Sequence, residues 1–234
     1  GQVWRNEKPG PDRFREFTQL DADIIGSENN LADAELCILM AYIFDNFLTL
    51  SKSWSIKVSN RKLITGLLDD LKIKEDSKIT VLRAIDKLDR INILGVRDLL
   101  KKGRKDPSGD FTKGANLSDE QVDIIVGSGR NKGFLGLRNI NQLKEFSKNS
   151  IFQEGADELN TIFEISNKSK FSDKIIFSPS VVRGLDYYTG TIFEASIDEE
   201  ITNAETGKKM RIGSVGGGGR YDNLIERFGN TKYP

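Results

Sequence analysis

Four side chains able to do chemistry crowd into residues 181–190, VVRGLDYYTG: the guanidinium of Arg183, the carboxylate of Asp186 and the phenols of Tyr187 and Tyr188, with a glycine on either side. That content is too polar and too rich in turn residues for an ordinary core strand. The chain contains no histidine. Imidazole-assisted serine or cysteine nucleophiles and imidazole metal sites are therefore excluded. Any catalysis rests on arginine, carboxylates, tyrosine, backbone donors or a metal held by carboxylates.

A second cationic group lies in VWRNEKPGPDRFREF, where Arg5, Arg13, Arg15 and Lys8 surround a Pro-Gly-Pro turn. A loop presenting guanidinium forks beyond a strand suits phosphate or carboxylate, because each fork binds two oxygens at once. A charged hydrogen bond of this kind contributes about 1.5–3 kcal/mol away from water. The same composition also fits a solvated basic loop. Gln19 and Asp23 lie four apart, on one face if the segment is extended; they read either as ligand-facing acceptors or as surface polar groups. Residues 216–219 are four consecutive glycines in SVGGGGRYD. They match neither a P-loop nor a dinucleotide fingerprint. Set between strand-like MRIGSV and helix-like YDNLIERFG, they suit a pocket floor, Gly216, Gly217 and Gly218, where a ligand approaches backbone closely, better than a linker. The stretch RDLLKKGRKDPSGDFTKG carries Arg97, Lys101, Lys102, Arg104 and Lys105. It reads as a patch neutralising nucleic-acid phosphates, or as a solvated helix end and loop.

The elements that must position these groups belong to a core-forming chain. Its 234 residues are 37% hydrophobic and 30% charged, with mean hydropathy −0.43, enough for one large domain or a domain carrying a smaller one. Lys plus Arg balance Asp plus Glu at 35 each, so nucleic-acid contact requires a local patch rather than a global field. The single cysteine, Cys37, sits in LADAELCILMAYIF; it reads as a small buried apolar side chain and fits a reducing compartment. No signal peptide or apolar run of the ~20 residues needed to span a bilayer is present, and the expected location is cytoplasmic. The chain starts without methionine and stops at GNTKYP; both ends read as cuts through a larger protein. Residues 14–26 alternate like a half-buried strand, slipping near Leu20, and Asp33 is the expected N-cap of an apolar helix over 34–50. WSIKVSNRKLITGLL reads as a strand entering a short helix. The division is 1–67 as the first part of a core, 68–170 as a charged helical insertion, and 171–234 as the second part. Strands return at KIIFSPSVVRG, TGTIFEASI and KMRIGSVGGGG, the last two forming a hairpin around the polar DEEITNAETGKK.

Three stretches together carry a family resemblance. WRNEKPGPDRFREFTQLDADIIG resembles motif 2 of the class II aminoacyl-tRNA synthetases in its histidine-specific form. VRGLDYYTGTIFE is similar to the histidine-recognition signature of histidyl-tRNA synthetases, and GGGGRYDNLIERFG to their glycine-rich second signature. They occur in family order, and the resemblance covers essentially the whole chain, most specifically residues 3–26 and 181–229. It implies an α+β fold: a mixed, mainly antiparallel sheet flanked by helices, with a helical insertion domain, in a homodimer. It also implies L-histidine, ATP with its Mg2+ and a histidine-accepting tRNA as substrates and partners, with no tightly held cofactor, no protein-held metal and no membrane.

By the same resemblance Arg5 and Arg183 are catalytic, on opposite sides of the ATP α-phosphate, and also touch histidine. Gln19, Asp23, Tyr187 and Tyr188 line the histidine pocket. Arg5, Glu7 and Arg13 bind ATP, the latter two near its base and outer phosphates. The insertion leans on the tRNA acceptor stem, with Lys101, Lys102, Arg104 and Lys105 as candidates. Many family members carry glutamate where this chain has Asp23. Motif 1, motif 3, the loop receiving the substrate ammonium and the anticodon-binding domain fall outside the chain, so the resemblance implies that these 234 residues alone do not aminoacylate tRNA. The alternative is a histidine-binding regulatory subunit of ATP phosphoribosyltransferase. Such paralogues typically lack the insertion and erode the catalytic arginines, whereas Arg5, Arg183 and a long insertion are all present here.

Overall fold

The computed structural model describes residues 1–6, 9, 14–47, 53–106, 109–182, 187–202, 207, 209–224 and 226. Strands β1 (Gln2–Trp4) and β2 (Glu16–Thr18) form an antiparallel ribbon with Val3 opposite Phe17. The strand expected across 14–26 stops at Thr18, and residues 19–25 run on without regular structure. Helix α1 (Asn30–Phe47) begins earlier than expected. Asn29 supplies its cap, accepting from the Leu31 N–H at 2.9 Å through Oδ1. Asp33 instead lies buried in the first turn, facing inward to an arginine.

Strand β3 (Trp54–Asn60) leads directly into α2 (Arg61–Asp70), with Asn60 as cap accepting from Lys62 N–H at 2.9 Å. Helices α3 (Glu75–Ile85) and α4 (Leu88–Leu100) follow, the latter kinked at Asn92, whose φ is 56°. Two short strands come next, β4 (Gly103–Lys105) and β5 (Phe111–Lys113), paired antiparallel where the sequence reads as helix end and loop. Helix α5 (Asp119–Val126) opens with a Ser118/Gln121 capping box, satisfying two otherwise orphaned donors. After two 3₁₀ turns come α6 (Leu143–Phe146) and α7 (Ser150–Ser166). Asn149 caps α7 by accepting from Ile151 and Phe152 N–H, which breaks what the apolar spacing presents as one helix. Strands β6 (Ile175–Phe177), β7 (Thr191–Thr202) and β8 (Lys209–Gly219) complete the chain order.

The main sheet runs β6-β3-β7-β8, parallel between β6 and β3 and antiparallel elsewhere. Its register pairs Ile56 with Ile175 and Ala195, and Val58 with Phe177 and Phe193. Because successive side chains alternate between faces, one face carries Trp54, Ile56, Val58, Phe193, Ala195 and Ile197. Helices α1 and α7 cover that side: Phe44 of α1 lies 5.7 Å, and Phe171 of the turn after α7 6.3 Å, from Trp54, ring centre to ring centre. The opposite face presents Ser55, Lys57, Ser59, Glu194 and Ser196, an unusual polar complement for a central sheet. Helix α7 lies inside the span read as insertion, yet it packs on α1 and α2. Glycines allow the close approach: a Cβ at Gly66 would stand 2.7 Å from the Phe152 amide nitrogen. Cys37 is fully buried in this core. Among the described residues no helix is long and apolar enough to cross a membrane.

Candidate active site

Arg5 follows β1 directly, and its N–H donates to the Arg15 carbonyl at 2.8 Å, extending the ribbon by one bond. The guanidinium lies 5.4 Å over the Phe17 ring and donates through Nη2 to Gln19 Oε1 at 3.1 Å. Gln19 in turn donates to Asp21. Among the described residues this is the guanidinium's one hydrogen bond, and the side chain is exposed. Among the described residues Arg5 therefore has N–H donors without a protein acceptor, and its aim is set by a ring and an amide.

Asp23 lies on the irregular stretch beyond, and its Oδ1 accepts from the Tyr221 hydroxyl at 2.6 Å. Tyr187 and Tyr188 pack with ring centres 4.3 Å apart. A Cβ at Gly219 would stand 2.9 Å from Tyr188 Cγ, so the missing side chain makes room for that ring. Burial, then a hydrogen bond with Tyr187, then the charge of Asp23 raise the Tyr188 hydroxyl well above its usual range. Tyr221 is pushed up to about 12 by burial and by its bond to Asp23. Both phenols stay protonated at neutral pH and remain able to donate. The structure thus brings Asp23, Tyr188 and Tyr187 into one neighbourhood, and links Arg5 to Gln19.

The glycine run forms the end of β8, where Gly216, Gly217 and Gly218 pair with Ala195, Glu194 and Phe193. A Cβ at Gly216 would meet Met40 Cε at an ordinary 3.5 Å, on the helix-covered side. At Gly218 it would stand 2.7 Å from the Phe193 ring. Gly217 projects toward the polar face and is exposed, so it is the member of the run best placed as a floor.

Sequence reading missed the residues immediately after the glycines. Arg220 is a clamp: Nε donates to Asp222 Oδ1 at 2.7 Å, Nη1 to Asp33 Oδ2 at 3.2 Å and Nη2 to the Ser27 carbonyl at 2.8 Å. Thr189 donates from its hydroxyl to Asp222, and the main chains of Thr189 and Arg220 bond at 2.8 Å. Burial raises Asp33 to about 6 despite the Arg220 charge beside it. The clamp joins the segment after the ribbon, the start of α1 and the turn after Tyr188. The polar RYD triplet abutting the glycines was the available signal. A neighbouring network has Lys62 bridging Glu154 and Glu158 at 2.6 and 2.5 Å, with Asn60 Nδ2 donating to Glu158 at 2.6 Å.

In the basic patch, Arg97 pairs with Asp123 at 2.7 Å and Lys101 with Asp119. Among the described residues Lys102, Arg104 and Lys105 have no carboxylate partner. Glu7, Lys8, Arg13, Arg183 and Asp186 lie outside the described residues.

The family model described as histidyl-tRNA synthetase matches residues 1–234. The chain is 44% identical over 245 residues to a histidine–tRNA ligase of Cereibacter sphaeroides, covering 100% of this chain and 49% of the relative. To that of Rhizobium meliloti it is 45% identical over 244 residues, covering 100% and 47%. It therefore spans about half the length of the curated relatives it matches. The crystal structure of histidyl-tRNA synthetase from Nostoc sp. PCC 7120 superposes with TM-score 0.76 at 25% identity, over 100% of this chain and 49% of that one. An ATP phosphoribosyltransferase regulatory subunit/histidyl-tRNA synthetase from Bacillus halodurans C gives TM-score 0.71 at 20% identity, over 100% and 52%, a likeness of fold. The α+β architecture with a mixed, mainly antiparallel sheet is the one expected from the sequence.

Proposed function

The chain belongs to the histidyl-tRNA synthetase family, and from that premise we propose that it is part of the catalytic region of a histidine–tRNA ligase. The enzyme would activate L-histidine with ATP and pass the histidyl group to its tRNA, working in the cytoplasm as a homodimer. The observation carrying this reading is the joining of Asp23 to Tyr221, 198 residues apart, beside Tyr188 and on the segment that also bears Arg5 and Gln19.

In the activation step a histidine carboxylate oxygen attacks the ATP α-phosphorus, a P–O bond forms, and the bond to pyrophosphate breaks in line. Arg5, with donors to spare, would hold the carboxylate and an α-phosphate oxygen together. Arg183 would lie opposite, so that both guanidiniums stabilise charge developing at phosphorus. Glu7 and Arg13 would flank the base and outer phosphates. Mg2+ would enter with the nucleotide and shield the charge of its phosphates. Asp23 would accept from one imidazole nitrogen, with a hydroxyl of Tyr187 or Tyr188 at the other and Gln19 beside them. A site so built rejects analogues lacking either group, because its own polar atoms would be left unpaired. Gly216, Gly217 and Gly218 would let the substrate approach backbone. Lys102, Arg104 and Lys105, with Lys101 partly neutralised by Asp119, would follow tRNA phosphates from the insertion.

Calorimetric titration of the natural full-length polypeptide with histidine tests this division. Tyr188→Phe is expected to lose imidazole selectivity and Arg183→Ala to lose adenylate formation while still binding histidine. A regulatory subunit would bind histidine and form no adenylate in any variant.

A further inference from the structure

We propose that Tyr221 is a positioning residue for the histidine site: its hydroxyl holds one oxygen of Asp23 and so aims the other at the imidazole. This rests on the ligase reading above. Asp23 has a short side chain on a stretch without regular secondary structure, and it is exposed. Left alone, a carboxylate there samples several rotamers and loses entropy on binding. Tyr221 supplies the missing constraint. Its hydroxyl donates to Asp23 Oδ1 at 2.6 Å, a short contact of the charge-assisted kind.

The tyrosine can impose geometry because its own backbone is pinned on both sides. The Arg220 N–H donates to the Thr191 carbonyl at 2.8 Å, and the Leu224 N–H donates to the Tyr221 carbonyl at 2.9 Å. The Arg220 side chain meanwhile ties the same point to Ser27, Asp33 and Asp222. Oδ1 is thus committed to a phenol that starts just past the end of β8, and among the described residues no donor is bonded to Oδ2, the oxygen proposed to meet the ligand. The carboxylate is fixed from its flank, with Tyr188 beside it, near enough for the charge of Asp23 to act on the Tyr188 hydroxyl.

The test is steady-state ATP–pyrophosphate exchange by the natural full-length polypeptide, comparing wild type, Tyr221→Phe, Asp23→Asn and the double variant. Tyr221→Phe is expected to raise the KM for histidine about tenfold, as for one lost charge-assisted bond, with the KM for ATP and the melting temperature held. In the Asp23→Asn background the same change should move the histidine KM by less than about twofold, because the tyrosine acts through the carboxylate. An unchanged histidine KM in Tyr221→Phe overturns the proposal. So does an equal rise in both backgrounds, or a lower melting temperature with both KM values rising together. A wild-type protein without histidine-dependent exchange would instead overturn the ligase reading itself.

Discussion

Arg220 and Arg5 have contrasting surroundings, and they mark off two regions of the molecule. Arg220 sits at the base of the main sheet with a side chain 12% exposed, and each of its three nitrogens donates to a protein oxygen. Arg5 sits exposed beside a two-stranded ribbon, with one amide partner and one ring beneath it among the described residues. A guanidinium each of whose nitrogens bonds within the protein fixes structure. One that is aimed but unsatisfied is available to a carboxylate or phosphate. The clamp carries the positional information and the ribbon carries the reactive charge.

The comparison breaks most visibly if the clamp is removed. Arg220→Ala leaves Asp33 and Asp222 without their cation and is expected to cost about 3–5 kcal/mol in denaturant unfolding. Arg5→Ala should leave that unfolding curve in place and lower the rate of histidyl-adenylate formation about 10²–10³-fold in single turnover, as for loss of one preorganised transition-state donor. Equal stability losses at the two positions would erase the distinction.

Acidity sharpens it further. Burial outweighs the Arg220 attraction and raises Asp33 from 3.8 to about 6. The folded state then binds that proton more tightly than the unfolded chain, so Asp33 contributes stability that is full below about 4 and lost as pH rises through about 6. The change is at most about 3 kcal/mol. Urea midpoints measured across this range should fall with rising pH, and Asp33→Asn should flatten the slope. The smallest expected effect lies in the patch beyond α4. Replacing Lys102, Arg104 or Lys105 by alanine should each reduce the salt slope of tRNA binding by about 0.7–0.9. Replacing Lys101, already paired with Asp119, should reduce it less.

The ribbon was the legible region and the clamp was not. Arg5, Gln19 and Asp23 fall within one short stretch, and Tyr187 and Tyr188 within another; spacing alone left them open to a surface reading, and the resemblance of these short stretches to family motifs carried the expectation. Ser27 and Asp33, which accept from Arg220, and Asp23, which accepts from Tyr221, lie 187 to 198 residues away from them, where no local periodicity reaches. Asp33 reads as a cap because aspartate often is one; Asn29, four residues earlier, takes that role, leaving Asp33 to face the arginine. The β4–β5 hairpin escaped notice because its strands are short, largely polar and partly exposed, without the apolar alternation that marks a half-buried strand. The main-sheet strands show the opposite case. Their apolar side chains face α1 and α7, while serines, Lys57 and Glu194 occupy the other face, the period-two alternation that marks a strand in sequence.

Histidine-dependent exchange of pyrophosphate into ATP by the natural full-length polypeptide, measured beside its Arg5→Ala variant, tests the central claim most directly. The account predicts exchange that requires histidine in the parent and falls about 10²–10³-fold in the variant, with folding unchanged. Histidine binding without exchange in the parent, or full exchange in the variant, would contradict it.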